Sequence, residues 1–476
     1  MSHKKILLII IPILLVFGIR YLYHSTNPLY FFFPDTYQYL NRAQEIAAGS
    51  SLVNPFRVPL YPFILKNTLH LDGKINVDNQ TINAFNYQSL IRFQYSLNLI
   101  QAVFFLLLIH RLFGVSWAFT AAAAIFAFDI QSIAWGKNVL PETATSALVV
   151  ILLFLLTRFV DSLNILYLAA GIIVFSLLFL LRPVYFLLPL SLLPILTFYF
   201  LRKKLPAISI ITAIFLISSL LVPFYYRQQN KKLYDYPGTT TVSDHNLLAK
   251  VIQYNLNVAK LPDESAFDQK LKACVARHTP GQRVELDECI ASLGIAQDKY
   301  FVNSGKIAGR FAQRAIIAEP FSFIAKSVLL LPQTLVSTRP DPFFWVSTYS
   351  SNVTLGNFWS TLSQIHDRLL PLTLLFFLFY PLSLLIFLKN PNRKNTILTI
   401  IGTVIAYQQF FNTFFAHTDY IRLRSVIEEP LWLFCFYYFL MVIRKIGNAR
   451  LLQKGIKRQK DKTPLSRILQ KAPPSF

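Results

Sequence analysis

Stretches almost free of charged residues limit what this sequence can fold into. They occupy residues 6–17, 102–109, 146–156 and 369–387. Each fits within or extends into a segment of about 20 residues, the length of a helix that crosses the apolar part of a bilayer. Of the 476 residues, 54% are hydrophobic and only 14% are charged, so one water-soluble core cannot bury all the apolar surface. The sequence therefore predicts an integral membrane protein.

The apolar stretches predict an all-α, polytopic transmembrane helical bundle of about ten spans. The predicted spans are residues 5–23, 95–112, 115–134, 141–160, 164–182, 183–201, 206–226, 368–388, 395–414 and 428–445. Two long segments, 24–94 and 227–367, are predicted to be extracytoplasmic and to contain interfacial amphipathic helices. One of these helices is expected at 304–335, interrupted by Pro320 and Pro332.

The distribution of basic residues predicts the orientation of the chain. With the N-terminus inside, the short loops predicted to lie outside hold few basic residues, namely Lys137, Arg182, Arg422 and Arg424. The remaining basic residues of the short loops and of the tail then lie inside, as the positive-inside rule requires. Both termini are therefore predicted to be cytoplasmic, in a plasma (inner) membrane. The formal charge of +23 is explained by topology and lipid head groups, and no nucleic-acid partner is expected.

These patterns predict four regions and one disulfide. The regions are an N-terminal transmembrane module (1–226), an extracytoplasmic segment (227–367), C-terminal transmembrane helices (368–445) and a basic cytoplasmic tail (446–476). Cys274 and Cys289 both lie in the extracytoplasmic segment, where a disulfide is permitted, and the alternative is two unrelated thiols. Cys435 lies in a span and is expected to be a small packing residue.

Asp35 follows the first span closely, in the sequence FFFPDTYQYL. One interpretation is local: Asp35 caps a helix, with Gln38 as its capping-box partner and Gly49 as the C-terminal cap. The other is functional, because a carboxylate beside three phenylalanines at the membrane interface is partly desolvated. Desolvation raises the pKa of a carboxyl group, which suits a general base or a metal ligand. The local pattern leaves both interpretations open.

Glu142 and Arg182 lie at other outer ends of predicted spans. Glu142 follows Pro141 and is either part of a helix start or a second carboxylate facing the same cavity as Asp35. Arg182 either occupies a turn between helices or offers its guanidinium group to a phosphate.

The late segment DYIRLRSVIEEPLWLF places basic residues where the topology rule disfavours them. A phosphate ligand would explain Arg422 and Arg424, and so would internal salt bridges to Glu428 or Glu429. The sequence has no Walker loop and no cytoplasmic loop long enough for a nucleotide-binding domain. A donor substrate is therefore expected to arrive through the membrane.

Six segments, taken in order, carry a family resemblance. They are PDTYQYLNRAQEIAAG, FRVPLYPFIL, LPETATSALVVILLFLL, FLLRPVYFLLPL, FAQRAIIAEPFSFIAKSVL and DYIRLRSVIEEPLWLF. Their order resembles the GT-C superfamily of polytopic membrane glycosyltransferases, which includes bacterial proteins similar to protein mannosyltransferases and aminoarabinose transferases. The resemblance implies a polyprenyl-phosphate sugar as donor and an acceptor hydroxyl, on a glycan, lipid or protein, at the outer face.

The resemblance also implies roles for particular residues. Asp35 matches the family's acidic residue in the first loop, a candidate catalytic base and ligand of a divalent metal, Mg²⁺ or Mn²⁺. Many members carry two adjacent acids there, whereas Thr36 follows Asp35 in this chain, which leaves metal dependence open. The residues expected to bind substrate are Glu142, Arg57, Tyr61, Arg182, Tyr420, Arg422 and Arg424.

Two other functions compete with this one. An O-antigen polymerase or ligase also uses polyprenyl carriers and a large outer loop, but the acid directly after the first span favours a transferase. A lipid or solute transporter would carry ionisable groups within its spans, and the predicted spans have almost none at their centres.

Overall fold

The structure is a computed structural model and describes residues 3–26, 30–78, 81–278, 289–290, 299–338, 353–416 and 420–460. Within these ranges the regular elements are helices, apart from one isolated parallel bridge between Phe31 and Asn138. The predicted all-α architecture is confirmed. Residues 461–476 of the predicted tail lie outside the described part of the chain.

The first eleven helices cover the N-terminal module. They are α1 (His3–Thr26), α2 (Thr36–Ala47), α3 (Leu60–Thr68), α4 (Gln88–Phe113), α5 (Trp117–Ala127), α6 (Ile130–Ala134), α7 (Glu142–Ser162), α8 (Ile165–Leu181), α9 (Leu188–Arg202), α10 (Pro206–Ser218) and α11 (Leu221–Tyr234). Helices α2 and α3 lie in the first of the two long predicted loops, 24–94.

Nine more described helices follow. They are α12 (Thr241–Gln253), α13 (Ala266–Arg277), α14 (Val302–Ala318), α15 (Pro320–Val336), α16 (Val353–Leu369), α17 (Phe376–Lys389), α18 (Arg393–Phe414), α19 (Tyr420–Ser425) and α20 (Glu428–Lys460). The predicted amphipathic stretch at 304–335 forms two helices, α14 and α15, bent by 98° where α15 begins, so the predicted interruption at Pro320 is confirmed. Pro332, by contrast, lies inside α15 and does not end it.

In the part of the chain that the structure describes, seven helices are long and apolar enough to cross a membrane, or up to nine if each bent pair is one span. The chain is therefore a polytopic membrane protein. Several predicted boundaries change. The span predicted at 115–134 is bent by 45° between its two helices, and α8 has only 17 residues. The span predicted at 368–388 is the end of a longer apolar segment, Gly356–Lys389.

A continuous apolar core joins the membrane-length helices. Leu153 of α7, Leu196 of α9, Ile401 of α18 and Leu431 of α20 are all fully buried in it. On the outside of the bundle the apolar side chains are left exposed, as Leu166 is at 70%. An apolar surface of this kind is expected where lipid, rather than water, surrounds the helices.

The first loop and the long outer segment each have a smaller core. Tyr39, Tyr61 and Leu65 of the first loop pack on Trp135 and Leu140, next to the start of α7. This packing holds the first loop against the ends of the spans. The long outer segment packs α12 to α15 together around the fully buried residues Leu248, Leu271 and Ala308 and the nearly buried Phe311 and Phe323.

The predicted disulfide between Cys274 and Cys289 is confirmed, with 5.8 Å between the two Cα atoms. Both cysteines belong to the core of the outer segment, whereas Cys435 is buried and free, as predicted. The bond closes a loop of 15 residues onto α13.

Replacing both Cys274 and Cys289 by serine is expected to destabilise the outer segment. A closed loop of this length stabilises a fold by about 3 kcal/mol, mainly by restricting the unfolded chain. Limited proteolysis in increasing urea should show earlier cleavage within residues 227–367, with the Cys435→Ala variant as control. Equal resistance of the double variant and the wild type would contradict a stabilising role for the bond.

Candidate functional site

Asp35 lies between two arginine side chains at the start of α2. Nη2 of Arg57 is 3.1 Å from Oδ1 of Asp35, and Nη2 of Arg422 is 3.0 Å from Oδ2. Asp35 occupies the N-cap position of α2, as the local interpretation predicts, but its side chain makes no capping hydrogen bond. Its carboxylate instead joins two parts of the chain that are distant in sequence.

Arg422 also contacts the second predicted carboxylate. Its Nε is 2.9 Å from Oε1 of Glu142, the first residue of α7. Nη2 of Arg182, which follows α8, is 3.6 Å from the same oxygen. Five residues that were predicted to form the site therefore lie together: Asp35, Arg57, Glu142, Arg182 and Arg422. We call this group the outer cluster.

A short backbone pairing brings Asp35 next to the loop that precedes Glu142. The N–H of Phe31 donates to the carbonyl of Lys137 at 3.0 Å, and the N–H of Val139 donates to the carbonyl of Phe31 at 3.1 Å. The hydroxyl of Thr36 then donates to the carbonyl of Val139 at 3.2 Å. Thr36 therefore has a structural role: it fixes the start of α2.

Arg57 is held by a turn and by aromatic rings. Its backbone N–H donates to Oδ1 of Asn54 at 3.1 Å, and the backbone N–H of Asn54 donates to the hydroxyl of Tyr226 at 3.0 Å. The Arg57 guanidinium lies 4.6 Å from the centre of the Tyr39 ring, an arrangement that favours a cation. Tyr61 packs edge-on against Tyr39 and thus supports Arg57 indirectly.

The outer cluster carries an excess of positive charge and is partly open. Three guanidinium groups face two carboxylates, so the formal charge of the cluster is +1. Side-chain exposure is 27% for Asp35 and 1% for Glu142. An anion that approaches the cluster therefore reaches Asp35 and its two arginines first.

The arginines determine the protonation state of Asp35. Burial by itself raises the pKa of Asp35, but the charges of Arg57 and Arg422 and their hydrogen bonds outweigh it and hold the pKa well below its usual range. Burial lowers the pKa of Arg57, and the charge of Asp35 outweighs that effect and raises it. Asp35 and Arg57 are thus ionised at neutral pH, and Asp35 is a weak base while both arginines contact it.

This arrangement does not fit a divalent metal at Asp35. Each of its oxygens already contacts a guanidinium nitrogen, at 3.0 and 3.1 Å, so a Mg²⁺ or Mn²⁺ ion on the same oxygens would face two positive charges. Thr36 offers no second carboxylate. A reaction at this site would therefore proceed without a metal ion bound to Asp35.

Tyr420 lies on the same short helix as Arg422 but contacts a different part of the protein. Its hydroxyl accepts hydrogen bonds from Nζ of Lys250 at 3.1 Å and from Nε2 of Gln253 at 3.2 Å, both on α12. Lys250 is fully buried, and burial lowers its pKa to about 7. Tyr420 thus links α19 to the outer segment, and a role in substrate binding remains a prediction.

Arg424 lies apart from the outer cluster. Its side chain is fully buried, with Nε 3.4 Å from Oε2 of Glu428. Its Nη1 donates to the carbonyls of Leu335 at 2.8 Å and Ser337 at 2.7 Å. The salt bridge to Glu428, one of the two interpretations of the late segment, is therefore present, and the structure does not bring Arg424 together with Asp35.

Arg424 belongs to a second, fully enclosed group of charged side chains, which we call the inner cluster. Its members are Arg20, Asp129, His366, Arg424, Glu428 and Glu429. The expectation that the centres of the spans contain almost no charge is not contradicted, because Arg20 lies near the end of its predicted span and His366 lies in α16, just before the span predicted at 368–388. A lone ionisable residue in an apolar stretch, such as Asp129 in AIFAFDIQSIAW, is the signal that indicates such a cluster.

Comparison with known proteins adds little to this geometry. No protein-family model matches the chain, and no curated protein sequence matches it. Among solved structures, the chain is similar to the apo crystal structure of the oligosaccharyltransferase from the archaeon Archaeoglobus fulgidus, with 12% sequence identity and a TM-score of 0.44. The match covers 95% of this chain and 52% of that one, so this chain spans about half its length. A TM-score of this size does not establish a common fold.

Replacing Arg422 by glutamine is expected to lower the free energy of unfolding by about 3 kcal/mol, because the buried Glu142 loses its nearest cation. Chemical unfolding of the detergent-solubilised protein measures the change. The matched control is Arg111→Gln, which breaks an ion pair to Asp161 from an arginine that is 44% exposed, and which should cost less than about 1 kcal/mol. Equal effects of the two variants would show that the outer cluster does not stabilise the fold.

The buried Lys250 makes stability depend on pH. Its pKa is about 7 in the folded protein and near 10.5 in the unfolded chain, so the unfolded chain binds more protons between these values. Stability should therefore rise from about pH 7 to about pH 10, by on the order of 3 kcal/mol, and be independent of this group below pH 7. The Lys250→Met variant should lose this rise in stability with pH, and the control variant at the exposed Lys260, Lys260→Met, should keep it. If the rise persists in Lys250→Met, it does not come from the titration of Lys250.

Proposed function

We propose that this chain is a membrane glycosyltransferase that moves a sugar from a polyprenyl-phosphate donor to an acceptor hydroxyl on the extracytoplasmic face. The observation that carries the proposal is the outer cluster: a carboxylate held between two arginines, in a partly open site with one excess positive charge. The resemblance of the sequence segments to the GT-C superfamily supports the same function.

The arginines suit the donor. The phosphodiester of a polyprenyl-phosphate sugar carries one negative charge, which matches the excess charge of the cluster. Arg57 and Arg422 present planar guanidinium groups that bind phosphate oxygens in pairs, and Arg182 adds a third positive charge nearby. Arg424 is left out of this role because Glu428 and two backbone carbonyls already satisfy its side chain.

The carboxylate suits the acceptor, once the donor has bound. A phosphate that draws Arg57 and Arg422 away from Asp35 removes the two interactions that keep its pKa low. The pKa of Asp35 then rises, because burial is the remaining influence, and the carboxylate becomes a better base. Donor binding would thus activate the base, so that a hydroxyl is deprotonated only when a sugar is present.

The chemical step follows from these positions. Asp35 accepts the proton of the acceptor hydroxyl as its oxygen forms a bond to the anomeric carbon of the sugar. The bond between that carbon and the phosphate oxygen breaks, and the electron pair stays with polyprenyl phosphate. The developing second negative charge on the phosphate is stabilised by Arg57, Arg182 and Arg422.

A transporter is the second candidate, and the inner cluster is the observation that favours it. Buried ionisable groups within spans are common along the substrate or proton pathways of transporters. The inner cluster, however, is closed to solvent, whereas the outer cluster is partly open. Turnover of a lipid-linked sugar separates the two functions, because a transporter would return the donor unchanged.

The test uses the purified full chain with a panel of polyprenyl-phosphate sugars, and mass spectrometry of bound lipid and of released polyprenyl phosphate. Asp35→Asn should still bind donor and should lower release by on the order of 10²–10⁴-fold. Arg422→Lys should weaken donor binding, and Arg111→Gln should change neither quantity. Full release by Asp35→Asn would exclude its role as base, and binding of bulk phospholipid alone by the wild type would exclude the transferase.

A further inference from the structure

The inner cluster contains three side chains whose ligand atoms are close enough to share a metal ion. One atom each from Asp129, His366 and Glu428 lies within 4.8 Å of the other two, and all three residues are buried. An imidazole nitrogen combined with carboxylate oxygens is a ligand set that divalent transition metals accept. We propose that these three residues bind one divalent transition-metal ion, of the class of Zn²⁺ or Mn²⁺.

Asp129 provides independent support for a bound cation. It is only 3% exposed, and neither of its carboxylate oxygens has a hydrogen-bond partner in the described part of the chain. A buried carboxylate without a partner is costly, so a positive ion or a proton is needed to compensate it. Asp129 lies at the 45° bend between α5 and α6, which interrupts the span beside His366 and Glu428.

His366 is oriented as a ligand would be. Its Nδ1 lies 3.4 Å from Oδ1 of Asp367, and its Nε2 lies 2.5 Å from Oε1 of Glu428. In many metal sites a carboxylate accepts the Nδ1 hydrogen of a histidine and leaves the Nε2 lone pair for the metal. A metal ion bound by both side chains would take the place of their direct hydrogen bond, and the two atoms would have to move apart from 2.5 Å to admit it.

The charge of the cluster also leaves room for a divalent ion. With His366 neutral, the three carboxylates and two guanidinium groups of the inner cluster have a formal charge of −1, and the neighbouring Asp367, which is 31% exposed, brings the total to −2. The three carboxylates are Asp129, Glu428 and Glu429, and the guanidinium groups are those of Arg20 and Arg424. One divalent cation balances this charge. Two protons would balance this charge as well. The experiment therefore has to distinguish one bound metal ion from two bound protons.

A small cavity lies beside one of the three proposed ligands, Asp129, and does not reach His366 or Glu428. It is lined by apolar side chains, including those of Phe105, Phe126 and Trp432, and it reaches both Asp129 and Glu429. Three protein ligands leave at least one coordination position open, which a water molecule beside Asp129 can occupy.

The proposed ion would fix the helix that carries the outer cluster's key arginine. Glu428 contacts His366 through one oxygen and Arg424 through the other. Arg424 and Arg422 lie on the same short helix, α19. A metal on Glu428 therefore holds α19 in place, and this role is independent of the reaction proposed for the outer cluster.

Metal analysis of the full-length protein tests the proposal. After treatment with a chelator, the protein is incubated with Zn²⁺ or Mn²⁺, passed through a desalting column and analysed by inductively coupled plasma mass spectrometry. The wild type should retain one ion per chain. Asp129→Asn and His366→Gln should retain none, and Asp367→Asn should bind the metal roughly 10- to 100-fold more weakly. The matched control is Asp161→Asn. Asp161 is a largely buried carboxylate near the C-terminal end of α7 that pairs with Arg111, and this variant should retain the ion.

Two results of the metal analysis would overturn the proposal. Wild-type protein that remains folded but retains no ion would show that protons, not a metal, balance the cluster. Retention by Asp129→Asn together with loss in Asp35→Asn would place the ion in the outer cluster instead. If the ligand variants do not fold, the absorption spectrum of wild-type protein loaded with Co²⁺ decides: bands typical of nitrogen and oxygen ligands support the site, and a spectrum identical to Co²⁺ in buffer excludes it.

Discussion

The arrangement of this protein depends on the need to pair charges that are buried among apolar side chains. Helix α19 shows this most directly, because it carries two arginines that are two residues apart and contact different clusters. Arg422 contacts Asp35 and Glu142, and Arg424 contacts Glu428. Neither arginine can lose its partners without leaving a buried charge uncompensated, so the two clusters fix the position of α19 together.

The same pairing joins segments that are far apart in the chain. The first loop contributes Asp35 and Arg57, and α19 contributes Arg422 and Arg424. Glu142 lies at the start of α7, and Glu428 lies at the start of α20. Since these groups meet, the chain turns that carry them must lie at one end of the helical bundle. This agrees with the topology predicted from basic residues, which assigns all of these turns to the same side of the membrane.

The two clusters differ in their access to solvent, and the difference indicates different roles. The outer cluster exposes part of Asp35 and carries one excess positive charge, as a site for an anionic substrate should. The inner cluster is closed, is formally negative when His366 is neutral, and contains a carboxylate that has no hydrogen-bond partner among the residues the structure describes. A substrate site and a fixed internal ion site are the simplest functions that match these properties.

The amino-acid sequence by itself determined the fold class and the approximate spans, and it predicted the five residues of the outer cluster. It also predicted the disulfide, with two unrelated thiols as the alternative. Apolar length and charge distribution are local properties, and they can be read without knowing which helices touch. The sequence also provided both interpretations of Asp35 and of Arg424 but could not choose between them.

Only the tertiary structure decided those choices, because they depend on which groups meet across the chain. It joined Asp35 to Arg422, gave Arg424 to Glu428 and brought Asp129 to His366. Several helices separate Asp35 from Arg422 and Asp129 from His366, so no local periodicity encodes these two pairs. Arg424 and Glu428 are only four residues apart, and the sequence already offered their salt bridge as one interpretation. The physical reason is that a charge in an apolar environment is satisfied by whichever opposite charge packing brings near, and packing is a property of the whole bundle.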